Sequence, residues 1–110
     1  MKRLALIPLF LVMAACVQVQ TATNEAARVP AKRVAIETVF TLIPEIPKEL
    51  TEAAANCAIE TATVDEVNAL AGDAIAGVDT GTAQTIRSIL VRPAGANCLS
   101  AAAASLGMTI

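Results

Sequence analysis

A chain of 110 residues can hold one small domain and no more. Eight basic residues face ten acidic ones, for a net charge of −2, so there is no basic excess with which to grip nucleic acid. Histidine is absent, which removes the commonest general base and metal ligand, excludes Ser-His and Cys-His nucleophile pairs, and argues against an enzyme, a metal or a cofactor.

The chain opens with Lys2 and Arg3, continues as a nearly unbroken apolar run from Leu4 to Met13, and then places the small residues Ala14 and Ala15 before Cys16. A positive start, an apolar middle and a small-residue end are the three parts of a secretory signal peptide. The apolar run is too short to span a bilayer, which needs about 20 residues, so residues 1–15 read as a removed address.

Met13-Ala14-Ala15-Cys16 resembles the lipobox of bacterial lipoproteins, with Met13 where that family usually carries Leu. The resemblance implies cleavage before Cys16 and acylation of Cys16, which would anchor the chain to a membrane. Two or more acyl chains hold stably where one is marginal. Val17, where the family's sorting rule looks for Asp, implies the periplasmic face of the outer membrane. The other reading is ordinary signal-peptidase cleavage and a secreted soluble protein.

With residues 1–15 removed, 95 residues remain, carrying six basic and ten acidic groups. Arg28, Lys32 and Arg33 make the stretch nearest the anchor basic, while from Glu37 onward nine acids face only Lys48, Arg87 and Arg92. The basic stretch reads as a solvated tether, with weak attraction to anionic head groups as the second reading. Trp and Tyr are absent and Phe10 and Phe40 are the only aromatics, so the core must come from Ala, Val, Ile and Leu. A small, Ala-rich core is marginal and leans on a disulfide or a partner. With Cys16 taken by lipid, Cys57 and Cys98 form an even pair in an oxidising compartment and are expected to be joined.

In chain order, residues 16–29 form the lipidated N-terminus and tether, since Val17 to Arg28 mixes Gln, Thr, Asn and Ala without an apolar period. Residues 30–110 form the helical domain. Ile36, Val39, Phe40 and Ile43 fit a helix over Pro30 to Ile43, with Pro30 in its first turn, although the Val, Ile and Thr content also suits a strand. Pro44 and Pro47 break it. Lys48 to Ile59 carries Leu50, Ala53, Ala54 and Cys57 on one helical stripe. Thr63 to Glu66 matches a capping box, opening a helix whose inner face is Val67, Leu70, Ala71, Ala74 and Val78, weakened at Gly72 and ended by Gly77. Asp79 or Thr80 caps the next, with Ala83, Ile86, Ile89 and Leu90 inward and Pro93 as its stop. A last helix is expected over Cys98 to Leu106, capped by Asn97 and ended by Gly107. Its Ala101 to Ala104 run is too weakly apolar to suggest a membrane span.

The expected fold is therefore all-α, a small bundle of four to five short helices with one disulfide. Asp65 and Glu66 read as first-turn charges suiting the helix dipole, not as an acid/base pair, because neighbours on a helix point about 100° apart. Cys57 and Cys98 lack the CxxC spacing of a redox dithiol and the further ligands of a zinc site. Arg87 and Arg92 read as solvated helix-face charges, with recognition of an acidic partner as the other reading. Leu106, Met108 and Ile110 either close the core or form an exposed apolar grip. The order of tether, Pro-x-x-Pro, Cys57-Ala-Ile, Thr-capped helix, Arg92-Pro93 and Cys98-Leu99 is similar to small exported proteins of Gram-negative bacteria that have no assigned activity. The expected function is an accessory or protein-interaction module of the envelope, reaching the membrane through Cys16. The alternative is a small carrier or sensor holding an apolar ligand between Ala-lined helices.

Overall fold

Helix starts and stops in this chain are set by individual residues, and most of them act where the sequence places them. The computed structural model describes residues 25–108, so the leader, the acylation position Cys16, Val17 and most of the tether lie outside the described residues, as does Ile110. Helix α1 is described over 25–42, α2 over Thr51–Thr61, α3 over Val64–Ala76, α4 over Thr80–Val91 and α5 over Pro93–Ser105. No strand occurs among the described residues, so the all-α expectation stands and the ambiguous 30–43 stretch is helical.

Helix α1 already runs at residue 25, so residues 25–29, assigned to the tether from sequence, are helical and Pro30 lies inside the helix. A proline there forfeits one backbone N–H and crowds the turn before it. Burial compensates: Ala31, Val34, Ala35, Val39 and Ile43 are all in the core, and Ala27 packs against it. The stripe thus continues through the proline into the preceding turn. Thr38 is fully buried, and its hydroxyl is satisfied by donating to the Val34 carbonyl at 2.7 Å.

Beyond Pro44 and Pro47 a 3₁₀ turn, Lys48–Leu50, leads into α2, with the Leu50 N–H donating to the Pro47 carbonyl at 2.9 Å. The sequence places a single helix over both; the structure divides it at Thr51. Leu50, Ala54 and Cys57 are buried as their spacing predicts, while Ala53 is half-buried. In α3 the buried face is Val67 and Leu70, with Ala71 half-buried, but Ala74 is exposed because the helix leaves the core in its last turn. Gly77 ends it at φ 99°, a left-handed conformation open to glycine, and returns its N–H to the Asp73 carbonyl.

Asp79 is the cap of α4, reciprocating with Thr82, and Ala83, Ile86, Ile89 and Leu90 are buried as expected. The last helix corrects its expected start. It begins at Pro93, with Arg92 as its cap residue, so Asn97 is an interior position. Pro93 cannot continue α4 but is well suited to open α5, because its missing N–H would have had no partner there. Gly107, at φ 71°, closes α5 while Met108 and Gly107 donate to the Ala103 and Ala104 carbonyls in a Schellman arrangement.

Helix α5 packs on α2 and α4, α2 also meets α4, and α3 touches α4. Gly95 makes the α4–α5 corner possible: it is buried, and a Cβ there would strike the Ile89 carbonyl oxygen and crowd Leu90.

Candidate functional site

Three features of the described surface have chemistry in them: the disulfide, two arginine clamps and the basic end of α1. Cys57 and Cys98 are joined, with Cα atoms 5.7 Å apart, tying α2 to α5. Cys57 sits at 3% exposure on the stripe its spacing predicts, and Cys98 lies in the second turn of α5, half-buried. Neither is available as a thiolate nucleophile while the bond stands.

The arginines are not free helix-face charges. Arg87 donates from Nε to Glu45 at 2.7 Å and from Nη2 to the other Glu45 oxygen and to the Leu42 carbonyl, both at 3.2 Å. It therefore closes the C-terminal end of α1 against α4. Arg92 donates from Nη2 and Nη1 to the two oxygens of Glu66 at 2.8 and 3.1 Å, and from Nη2 to the Thr61 carbonyl at 3.2 Å. Thr61 is the last residue of α2, so one guanidinium neutralises the first turn of α3 and satisfies the negative end of α2. Both pairs are part-exposed, and their value lies in geometry more than in Coulomb energy.

These contacts fix two protonation states. Hydrogen bonding from Arg92 holds the Glu66 carboxyl below its ordinary value, assisted by the Thr63 backbone N–H, against a smaller opposing effect of burial. Arg87 does the same to Glu45, and Glu45 in turn raises Arg87. Glu66 thus has more than the first-turn role its position suggested. It closes the Thr63 capping box and receives Arg92 with the same carboxylate.

Thr82, 2% exposed, donates to Asp73 at 2.9 Å and accepts from the Asp79 backbone N–H at 3.1 Å, joining the end of α3 to the start of α4. No group of three or more metal-ligating side chains occurs among the described residues. No helix among them is long and apolar enough to cross a membrane. Five alanines, Ala31, Ala35, Ala54, Ala55 and Ala58, are fully buried, so their small side chains let helices approach closely.

At the N-terminal end of α1 a groove of about 220 Å³ opens between α1 and α2, lined by Arg28, Val29, Lys32, Asn56, Ile59 and Glu60. Among the described residues Arg28, Lys32 and Arg33 take part in no ion pair, in contrast to Arg87 and Arg92. Elsewhere among the described residues the exposed large apolar side chains are Phe40, Val64, Ile75, Val91 and Leu106; of the two described C-terminal residues left open between core and grip, Leu106 is exposed and Met108 half-buried. Sequence spacing missed Gly95, the clamps and the groove. Only Gly95 left a local signal, in the Pro93-Ala94-Gly95 corner. No family model, curated protein or solved structure matches the chain.

Proposed function

We propose that this chain is a bacterial envelope lipoprotein: a signal peptide cleaved before Cys16, an acylated Cys16 at the periplasmic face of the outer membrane, and a helical domain that acts as an accessory, protein-interaction module without enzymatic activity. The carrying observation is the Cys57–Cys98 bond, which accounts for two of the three cysteines and leaves Cys16 behind the leader as the third. Structural disulfides persist in oxidising compartments, so the pairing supports the export that the leader's layout implies. A thiol at Cys16 with no partner in the chain then has its natural use in acylation.

The interaction role is supported by what the domain presents. Ile75 at 94% exposure and Val91 at 77% stand on α3 and α4, and the two arginines that would recognise an acidic partner are already engaged internally. A partner therefore meets apolar side chains on an acidic surface. Radiolabelled palmitate is expected to enter the wild-type chain and not Cys16→Ser, and density-gradient fractionation is expected to find the labelled chain with outer membranes. Equal labelling of both forms would overturn the anchor. Crosslinking in intact cells, followed by mass spectrometry, is expected to return a defined envelope protein joined to the domain.

A further inference from the structure

We infer that the N-terminal half of α1 is a membrane-facing surface, on which Arg28, Lys32 and Arg33 meet the phosphates of anionic phospholipids in the leaflet that holds the anchor and Val29 enters among the head groups. The inference rests on the lipoprotein reading and deepens it.

Four observations lead there. Arg28, Lys32 and Arg33 stand on an ordered helix whose opposite face is buried, not on a flexible tether, so their positions are fixed relative to the domain. They amount to half of the six basic residues after the leader, and the other three are engaged: Arg87 and Arg92 with glutamates, and Lys48 over the Phe40 ring at 3.8 Å. Val29, 59% exposed, stands among them at the groove between α1 and α2. Arg28 and Arg33 are exposed and Lys32 is half-buried at the groove, and basic residues interleaved with an exposed apolar side chain suit an interfacial surface, where charge holds the phosphates and apolar area enters the acyl boundary.

Chain length supplies the fourth. From Cys16 to the first described residue of α1 is nine residues, which reach at most about 32 Å in any conformation. An acyl chain on Cys16 therefore keeps this end of α1 close to the bilayer. Glu25, Glu60 and Glu37, the last one helical turn beyond Arg33, are the acids nearby and temper the attraction. From Glu37 onward acids outnumber bases, so an anionic surface attracts this end of the domain and repels the rest. At about 1 kcal/mol per basic residue near an anionic surface, three together set an upper bound of roughly a hundredfold on this preference, which the neighbouring acids reduce.

Lysine chemistry reads the result, because the chain after the leader contains just two lysines, Lys32 and Lys48. The full chain, expressed with its leader and recovered from the envelope, is placed on vesicles of phosphatidylcholine alone or mixed with phosphatidylglycerol. A membrane-impermeant amine reagent then labels it. Lys32 is expected to react severalfold more slowly on the phosphatidylglycerol vesicles, relative to Lys48. That protection is expected to vanish at 1 M salt, where the screening length is about 3 Å, and in the Arg28→Gln/Arg33→Gln variant, whose substitutions are at exposed positions. Equal Lys32 rates on the two vesicle types overturn the inference, as does protection that survives both high salt and the double substitution. The mass of the N-terminal peptide is measured on the same sample and decides the anchor separately. Acylation without Lys32 protection refutes the membrane face and keeps the anchor; protection without acylation refutes the anchor and keeps the face.

Discussion

Glu66 is where a local motif and a long-range one share a side chain. Its Oε1 accepts from the Thr63 backbone N–H and from Arg92, both at 2.8 Å, so the start of α3 and the corner between α4 and α5 are held by one carboxylate. Thr63→Ala removes the hydroxyl that accepts from the Glu66 N–H and is expected to cost about 1 kcal/mol, the usual loss at a helix cap, measured as a lower denaturation midpoint. Glu66→Gln separates the two roles, since glutamine can still close a capping box but carries no charge for Arg92. Acid supplies a second readout. Glu45 and Glu66 both have folded-state affinities for protons depressed from the ordinary value of 4.5 by arginine hydrogen bonds. The unfolded chain therefore binds these protons first, and the stability they contribute is present above about pH 4.5 and lost as pH falls through the lower, folded values. The denaturation midpoint is expected to be level from neutrality to about pH 5.5 and to decline below 4.5, with a shallower decline in Glu45→Gln/Glu66→Gln. An identical acid slope in that variant would show that other carboxylates carry it. The capping box is legible in the sequence because Thr63 and Glu66 are three residues apart. The clamps are not, because Arg92 finds Glu66 across 26 positions and Arg87 finds Glu45 across 42, and nothing in helical periodicity relates such distant residues.

Glycines separate what helices need from what their packing needs. Gly72 lies inside α3, exposed, with nothing near the place a Cβ would occupy. Gly72→Ala is expected to stabilise the domain by roughly 0.5–1 kcal/mol, the difference in helix propensity. Gly95 lies inside α5, and there the same substitution drives a methyl group into the backbone of Ile89 at the end of α4. Gly95→Ala is expected to destabilise by about 1–3 kcal/mol, as overpacking usually does, because a carbonyl cannot swing aside as a flexible side chain would. Midpoints shifting in the same direction for both substitutions would mean that α4 and α5 do not cross so closely. The pair also shows why helix boundaries were legible in some elements and not in others. Gly77, Pro93 and Gly107 punctuate the chain through their own backbone chemistry and Asp79 through its side-chain cap, so the ends of α3, α4 and α5 and the start of α4 could be read directly. The start of α5 could not, because Pro93 both stops one helix and opens the next, and Asn97 offered a plausible cap that the chain does not use. Likewise Pro30 suggested a beginning for α1, whereas continued burial of Ala27 and Ala31 around it carries the helix further back.

At the scale of the whole molecule the domain is held by a core in which seven of the eighteen buried hydrophobic residues are alanine. Alanine buries little area, so such a core gives less hydrophobic stabilisation than its residue count suggests, and single constraints matter more. The Cys57–Cys98 bond spans 41 positions and joins α2 to α5, two helices that pack directly on one another. Closing a loop of that length restricts the unfolded chain by about 4 kcal/mol in the chain-entropy model. Typical domain stabilities are only about 5–15 kcal/mol. Cys57→Ala, Cys98→Ala and the double variant are therefore expected to lose similar amounts of stability and to become sensitive to protease, since each removes the same crosslink. Burial refines the comparison. Cys57 is 3% exposed and Cys98 only half-buried, so Cys57→Ala also loses some core contact and should be slightly the worse of the two single variants. If Cys57→Ala alone were destabilised while Cys98→Ala kept the wild-type midpoint, the buried side chain and not the crosslink would be what the core depends on. Mass spectrometry of unreduced protein from the envelope completes the test, and two alkylatable thiols at Cys57 and Cys98 would show that the fold stands without the bond.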